Sequence, residues 1–344
     1  MIRVSIIGAA SYTAGELIKI LVNHPKVKLV HLEETGVMAG KKVAEVIPSL
    51  KSIMNIPMLE YAPKDIAKGS DVVFICRGAG GSMSYVAELF KESKMVKVID
   101  IGSDYRLKNP AEYQQWYQYT HKQPKLLKES VYGLPELYAA QIKKARLVAN
   151  PGCYPTSIIF GLAPVLAKGL IDPSKILIAS YSGISGAGKM PKSGVNMFLD
   201  VYGNAKPYRV ATHQHTPEIE QELGRIAKKP VTISFIPHIL PVERGILSTI
   251  FVTPKKQVQL DTVVELYTKF YQGKPFIRVY PKGELPQVSS VVNTNFCDIG
   301  LGYDKRTGTL IIFSTIDNSI KGAGGQAVQN MNLMFGLKET TGLL

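Results

Sequence analysis

The sequence predicts an α/β chain in two parts: a doubly wound parallel sheet, then an α+β domain built on a mixed sheet. Strand-like and helix-like runs alternate through the first 150 residues, and consecutive strand-like runs with few helices follow them. At 344 residues, the chain is also longer than one hydrophobic core usually organises.

Ile2–Ile7 is a short apolar run ending at Gly8 and reads as a buried strand. Gly15–His24 reads as a helix with Leu17, Ile20, Leu21 and His24 on one face. Val27–Leu32, Val72–Cys76 and Val96–Ile101 read as further strands, with a helix-like segment at Met83–Lys94. Residues 105–135, rich in Tyr, Gln and Pro, lack clear periodicity and suggest surface loops with a short helix. Ala145–Ala149 is again strand-like, and Ser157–Lys168 helix-like. Beyond it, Ile176–Tyr181, Val231–Ile236, Ile246–Thr253, Phe276–Tyr280, Asp298–Tyr303 and Thr309–Thr315 read as strands, and Asp261–Tyr271 as a helix. Strands in succession without crossover helices imply antiparallel or mixed pairing. Lys321–Phe335 returns to helix and is expected to pack back on the first part. The expected domains are 1–150, completed by 320–344, and 151–319.

Lys and Arg total 41 against 27 acids, a net charge of +14 that would attract phosphorylated small molecules, nucleic acid or an acidic protein. The basic residues are scattered, the longest runs being pairs such as Lys41-Lys42 and Lys255-Lys256. No basic arm is visible, so a nucleic-acid partner is not expected. Three scattered cysteines form neither a disulfide framework nor a zinc pattern. With no signal-like N-terminus and no apolar run of about 20 residues, the expected setting is the cytoplasm, with no membrane and no metal.

Cys153 lies in Asn150-Pro151-Gly152-Cys153-Tyr154-Pro155-Thr156, between a strand-like and a helix-like stretch. A helix start favours negative charge and so a reactive thiolate, whereas a lone cysteine also serves as a small packing residue. Cys76 and Cys297 sit in apolar strand-like runs and read as packing residues. His213 and His215 stand in alternation ahead of a helix, with Thr216 read as its N-cap and Pro217 as its first residue. A histidine that meets a cysteine in space is a recurrent acid/base arrangement. Arg106 and Arg244 follow strands, and each suits either an anionic substrate group or a structural ion pair. Ser182–Gly188 offers backbone N–H groups for an anion-binding nest or only a turn.

The turn Gly8–Gly15 follows the first strand and opens the first helix, where a Rossmann-type dinucleotide-binding domain takes a pyrophosphate. Its glycine pattern is incomplete, with Ser11 and Ala14 at the later small-residue positions. At the end of the second strand stand Glu33, Glu34, Thr35 and Gly36. A carboxylate there would bond a ribose 2′-hydroxyl and repel a 2′-phosphate, which favours NAD. Lys41 and Lys42 nearby could still meet a phosphate.

Together these pieces resemble the N-acetyl-gamma-glutamyl-phosphate reductases, relatives of the aspartate-semialdehyde dehydrogenases. The resemblance spans nearly the whole chain. It rests on the early turn with Tyr12 and Thr13, Asp104–Leu107, Val131–Glu136, the Cys153 run, Ser182–Gly188, His213–Glu218 and Ile316–Asn330. It implies a thioester-forming reduction of an acyl phosphate in arginine biosynthesis, with NADP as cofactor, and a homo-oligomer, dimer or tetramer. By resemblance Cys153 is the nucleophile and His215 the acid/base. Arg106, His213, Glu218 and Arg244 would serve the substrate, while Gly8, Ser11, Tyr12, Thr13, Ala14, Ser182, Gly183, Gly186 and Asn318 would contact the cofactor. Two departures stand out: Thr35-Gly36 where many members carry Ser-Arg, and Cys76–Gly81 where relatives commonly have a Pro-His-Gly turn. A reductase of another acyl phosphate, free or carrier-bound, a non-catalytic dinucleotide sensor and a nucleic-acid binder are the competing readings.

Overall fold

The computed structural model describes residues 1–187 and 201–344. They form two compact units, Met1–Pro151 with Ala323–Leu344, and Gly152–Gly322. The first holds strands β1 (Ile2–Ile7), β2 (Val27–Glu33), β3 (Val72–Ile75), β4 (Lys97–Asp100), β5 (Val131–Tyr132) and β6 (Leu147–Ala149). They pair in the order β2-β1-β3-β4-β6-β5, every pair parallel. Both faces are covered, which is why these strands read as continuous apolar runs. In β3, Val72 and Phe74 enter one core with Leu17, Ile18 and Met331, while Val73 and Ile75 enter another with Val86 and Leu89. The sheet order reverses at β1, whose neighbours are β2 and β3, and such a switch point is where open α/β sheets take ligands.

The helix Gly325–Met334 is buried along its whole length in this unit, although four of its ten residues are polar. Their hydrogen bonds make that burial tolerable. Gln326 Nε2 and Asn330 Nδ2 each donate to the Gly133 carbonyl at 2.9 Å, and Asn332 Oδ1 meets His24 Nε2 at 3.0 Å.

The second unit holds β7 (Ile171–Ser182), β8 (Lys206–Pro207), β9 (Ile233–Ile239), β10 (Ile246–Pro254), β11 (Ile277–Val279), β12 (Cys297–Asp304) and β13 (Thr309–Ile316). Their order is β11-β12-β13-β10-β7-β9-β8. β7–β9 and β11–β12 pair in parallel and the other neighbours antiparallel, so the sheet is mixed, as expected. Against it packs the helix Cys153–Ala167, buried from Tyr154 to Leu166. Pro164 lacks an N–H and so deprives the Phe160 carbonyl of its helical donor. The Tyr271 hydroxyl replaces it at 2.5 Å. Among the described residues no helix is long and apolar enough to cross a membrane.

Helix starts differ from the expectation in one direction. The first helix begins at Tyr12, not Gly15, because Ser11 caps it, its Oγ accepting the Ala14 N–H at 3.2 Å. The Cys153 helix begins at Cys153, not Ser157, since Pro155 lies in the first turn, where no intrahelical N–H is needed. The helix after the histidines has His215 as N-cap and Thr216 as its first residue, one position earlier than read.

Candidate active site

Cys153 is the first residue of its helix, with Gly152 in extended conformation as the N-cap. It is partly accessible, whereas Cys76 and Cys297 are buried, and none of the three is in a disulfide. Burial pushes the Cys76 thiol up to about 12, which fits its reading as a packing residue. The His215 imidazole lies directly against Gly152. A Cβ added to Gly152 would stand 2.4 Å from His215 Nε2, so only glycine admits the ring beside the residue preceding the thiol. Gly322 closes in likewise, an added Cβ there standing 2.7 Å from Cys153 Cβ.

His213 and Glu218 lie near this pair and have partners within the protein. His213 is 6% exposed and Glu218 fully buried. His213 packs among Tyr154, Tyr208, Phe235 and His215, its ring centroid 4.8 Å from that of His215. Its Nδ1 accepts the His215 backbone N–H at 3.1 Å, which puts its own proton on Nε2. Burial, then His215 and Arg209, push its pKa down to about 2, so the ring stays neutral. The segment is a turn, not the extended run expected. Glu218 Oε1 accepts the Gly152 N–H at 2.8 Å and fixes the loop that delivers Cys153. Both are positioning residues.

The early turn suits a pyrophosphate. Gly8 has φ +80, and a Cβ there would stand 2.7 Å from the Cys76 carbonyl oxygen. The N–H groups of Gly8, Ala9, Ala10, Ser11, Ala14 and Gly15 are bonded within the unit. Those of Tyr12 and Thr13, in the first helical turn, are the ones without an intrahelical acceptor that remain for an anion.

Three further candidates have partners within the fold. Arg106 is 7% exposed, its Nε donating to the Asn150 carbonyl at 2.8 Å and its Nη2 to that of Ile101 at 2.9 Å. Through these two bonds the guanidinium braces the chain after β4 and β6. In the Ser182 loop, the N–H groups of Gly183, Ile184 and Ser185 donate to Gly245, Val242 and Glu243, and that of Gly186 to Gly183. The loop is a laced turn, and a nest would need those donors. Ser182 is 3% exposed and its Oγ bonds the Gly183 carbonyl. Asn318 staples the same loops, its Oδ1 accepting the Gly245 N–H at 2.8 Å and its Nδ2 donating to Ser185 Oγ at 2.9 Å. These residues build the second unit; Gly188 lies outside the described residues. Arg244 keeps an ion pair with Glu243 at 3.0 Å.

Residues 3–145 match the family model described as semialdehyde dehydrogenase, NAD binding domain, and 153–318 that described as semialdehyde dehydrogenase, dimerisation domain. The chain is 49% identical over 342 residues to an N-acetyl-gamma-glutamyl-phosphate reductase of Pelotomaculum thermopropionicum, covering 99% of this chain and 97% of that one. A protein of the same name from Geotalea daltonii is 48% identical, covering 100% and 98%. The chain belongs to the N-acetyl-gamma-glutamyl-phosphate reductase family. Solved structures share the fold at lower identity. Aspartate semialdehyde dehydrogenase II of Vibrio cholerae, complexed with ASA, superposes with a TM-score of 0.72 at 16% identity, covering 98% of each chain. The Candida albicans enzyme with NADP does so at 0.72 and 16%, covering 97% and 98%.

Within this family the first unit binds a nicotinamide dinucleotide. Glu33 and Glu34, read as possible ribose ligands, are 2% and 6% exposed. Arg77 bridges them, Nη2 to Glu33 at 3.0 Å and Nη1 to Glu34 at 2.9 Å. The altered loop at Cys76–Gly81, to which the sequence assigned no consequence, thus supplies a counter-ion. Tyr154, Tyr208 and Phe235 around His213 were also missed, because residues far apart in the chain signal a shared aromatic box only once folded.

Proposed function

We propose that this chain reduces N-acetyl-gamma-glutamyl phosphate to N-acetylglutamate 5-semialdehyde with release of phosphate, through a thioester on Cys153. The His215 ring against Gly152, one residue from a thiol at a helix start, carries the reading. The thiolate attacks the acyl carbon, and the new oxyanion is met by main-chain donors at the helix start. Phosphate leaves as the thioester forms. The bound nicotinamide dinucleotide supplies the hydride that reduces this thioester, and family membership implies NADPH as a competent donor. His215 gives a proton to the developing oxygen and takes it back as the thiohemiacetal collapses, releasing aldehyde and thiolate. Arg244, by resemblance, meets an anionic group of the substrate. The Tyr12 and Thr13 N–H groups, with the Gly8 turn, hold the pyrophosphate.

The deciding measurement is phosphate-dependent oxidation of N-acetylglutamate 5-semialdehyde, with aspartate semialdehyde alongside. Activity confined to the aspartate compound would overturn the substrate assignment.

The enzyme is proposed to work in the cytoplasm as a homodimer, or a tetramer built from it. The match to a dimerisation domain supports this, as does the outward sheet face of the second unit. There Leu177 on β7, Ile236 on β9 and Phe251 on β10 are 56%, 39% and 37% exposed, and Leu177 pairs directly with Phe251. Apolar side chains clustered on one sheet face are what a second copy would cover. Phe251→Lys is expected to halve the mass seen by light scattering while leaving the circular dichroism unchanged; an unchanged mass would remove this face from the interface.

A further inference from the structure

In a doubly wound sheet the adenosine ribose meets the residues after the second strand, where a carboxylate takes a 2′-hydroxyl and a cation takes a 2′-phosphate. This chain has both signs there, bound to each other. Glu33 Oε2 accepts the Gly8 N–H at 3.3 Å besides Arg77, and its Oε1 accepts the Tyr85 hydroxyl at 2.9 Å. Glu34 Oε2 accepts the Ala10 N–H at 2.9 Å, and its Oε1 the Thr35 N–H at 3.0 Å besides Arg77. The acids that a ribose would have met therefore hold the phosphate turn in shape. The Arg77 side chain, 24% exposed, is the part of the cluster that reaches solvent, while the carboxylates are 3% and 8% exposed.

We propose that Arg77, tied to Glu33 and Glu34, sets cofactor selectivity in this chain, cancelling the attraction for a 2′-phosphate so that NADH serves at least as well as NADPH. Recognition of a phosphate by arginine uses its paired N–H fork, and each terminal nitrogen of Arg77 is already held by a carboxylate, which fixes the guanidinium's orientation and offsets its charge. One guanidinium against two carboxylates leaves the cluster negative, so a phosphate beside it meets as much repulsion as attraction. Gly36 offers no side chain to compensate. Lys41 and Lys42 are exposed, and their pull is screened by salt.

The inference rests on the nicotinamide site read above, and its test keeps the two apart. In calorimetric titrations of the full chain, 5′-AMP and 2′,5′-ADP are expected to bind within about threefold of each other, and 2′,5′-ADP tighter by more than about tenfold would overturn the inference. Glu34→Gln, which keeps the size but removes the charge and one of the two acceptor oxygens, is expected to raise affinity for 2′,5′-ADP relative to 5′-AMP about three- to tenfold. An unchanged ratio in that variant would also overturn it. Binding of neither nucleotide would sink the cofactor site itself.

Discussion

Cys153→Ser is expected to fold as the parent does and to lose about 10⁴- to 10⁶-fold in turnover. The hydroxyl matches the thiol in size but is a far weaker nucleophile, and the bound carboxylate, glycine and imidazole around it need no sulfur to stay in place. The loss should appear in kcat and kcat/KM together, because the bond is made only on the reaction path. Iodoacetamide checks the same residue without substrate. The native chain is expected to take one label, since Cys76 is 9% exposed and Cys297 fully buried. The variant should take none. Turnover near that of the parent would end the covalent mechanism.

His215→Asn is expected to lower kcat by about 10²- to 10⁴-fold while the thiol still alkylates. The dependence of kcat/KM on pH should lose the limb belonging to an imidazole. His213 cannot replace it, because burial holds that ring neutral with a pKa of about 2. The same burial has a stability consequence of definite sign. His213 binds its proton far more readily unfolded, near the ordinary histidine value of about 6.5, than folded. Its contribution is therefore complete above that value and is lost progressively as pH falls below it. An unchanged pH–rate profile in His215→Asn would remove the acid/base role.

Elements whose signal is local were legible. β1, β2 and β3 show as apolar runs because both sheet faces are covered, and β10, β12 and β13 lie within a residue or two of the runs that announce them. The helix starts were harder: a proline in the first turn looks like a breaker until the unneeded N–H is counted, as at Pro155. Among candidate site residues, Cys153 stood out by its setting, a turn before a helix, while only the family resemblance set His215 apart from His213. His213, Glu218, Arg106 and Asn318 were read as candidate ligand-binding residues, and the fold gives each a main-chain partner that the sequence did not announce. Type and spacing cannot tell a side chain facing substrate from one facing a backbone N–H, because burial decides between them.

From sequence alone came the fold class, the candidate thiol and the turn for a dinucleotide, since each depends on neighbours in the chain. Tertiary structure alone decided which polar groups are consumed internally. Arg77 lies 43 or more residues from both glutamates it neutralises, and Glu218 lies 66 from the glycine it holds. A buried charge must find a partner wherever the fold brings one, and that choice is written in packing, not in order along the chain.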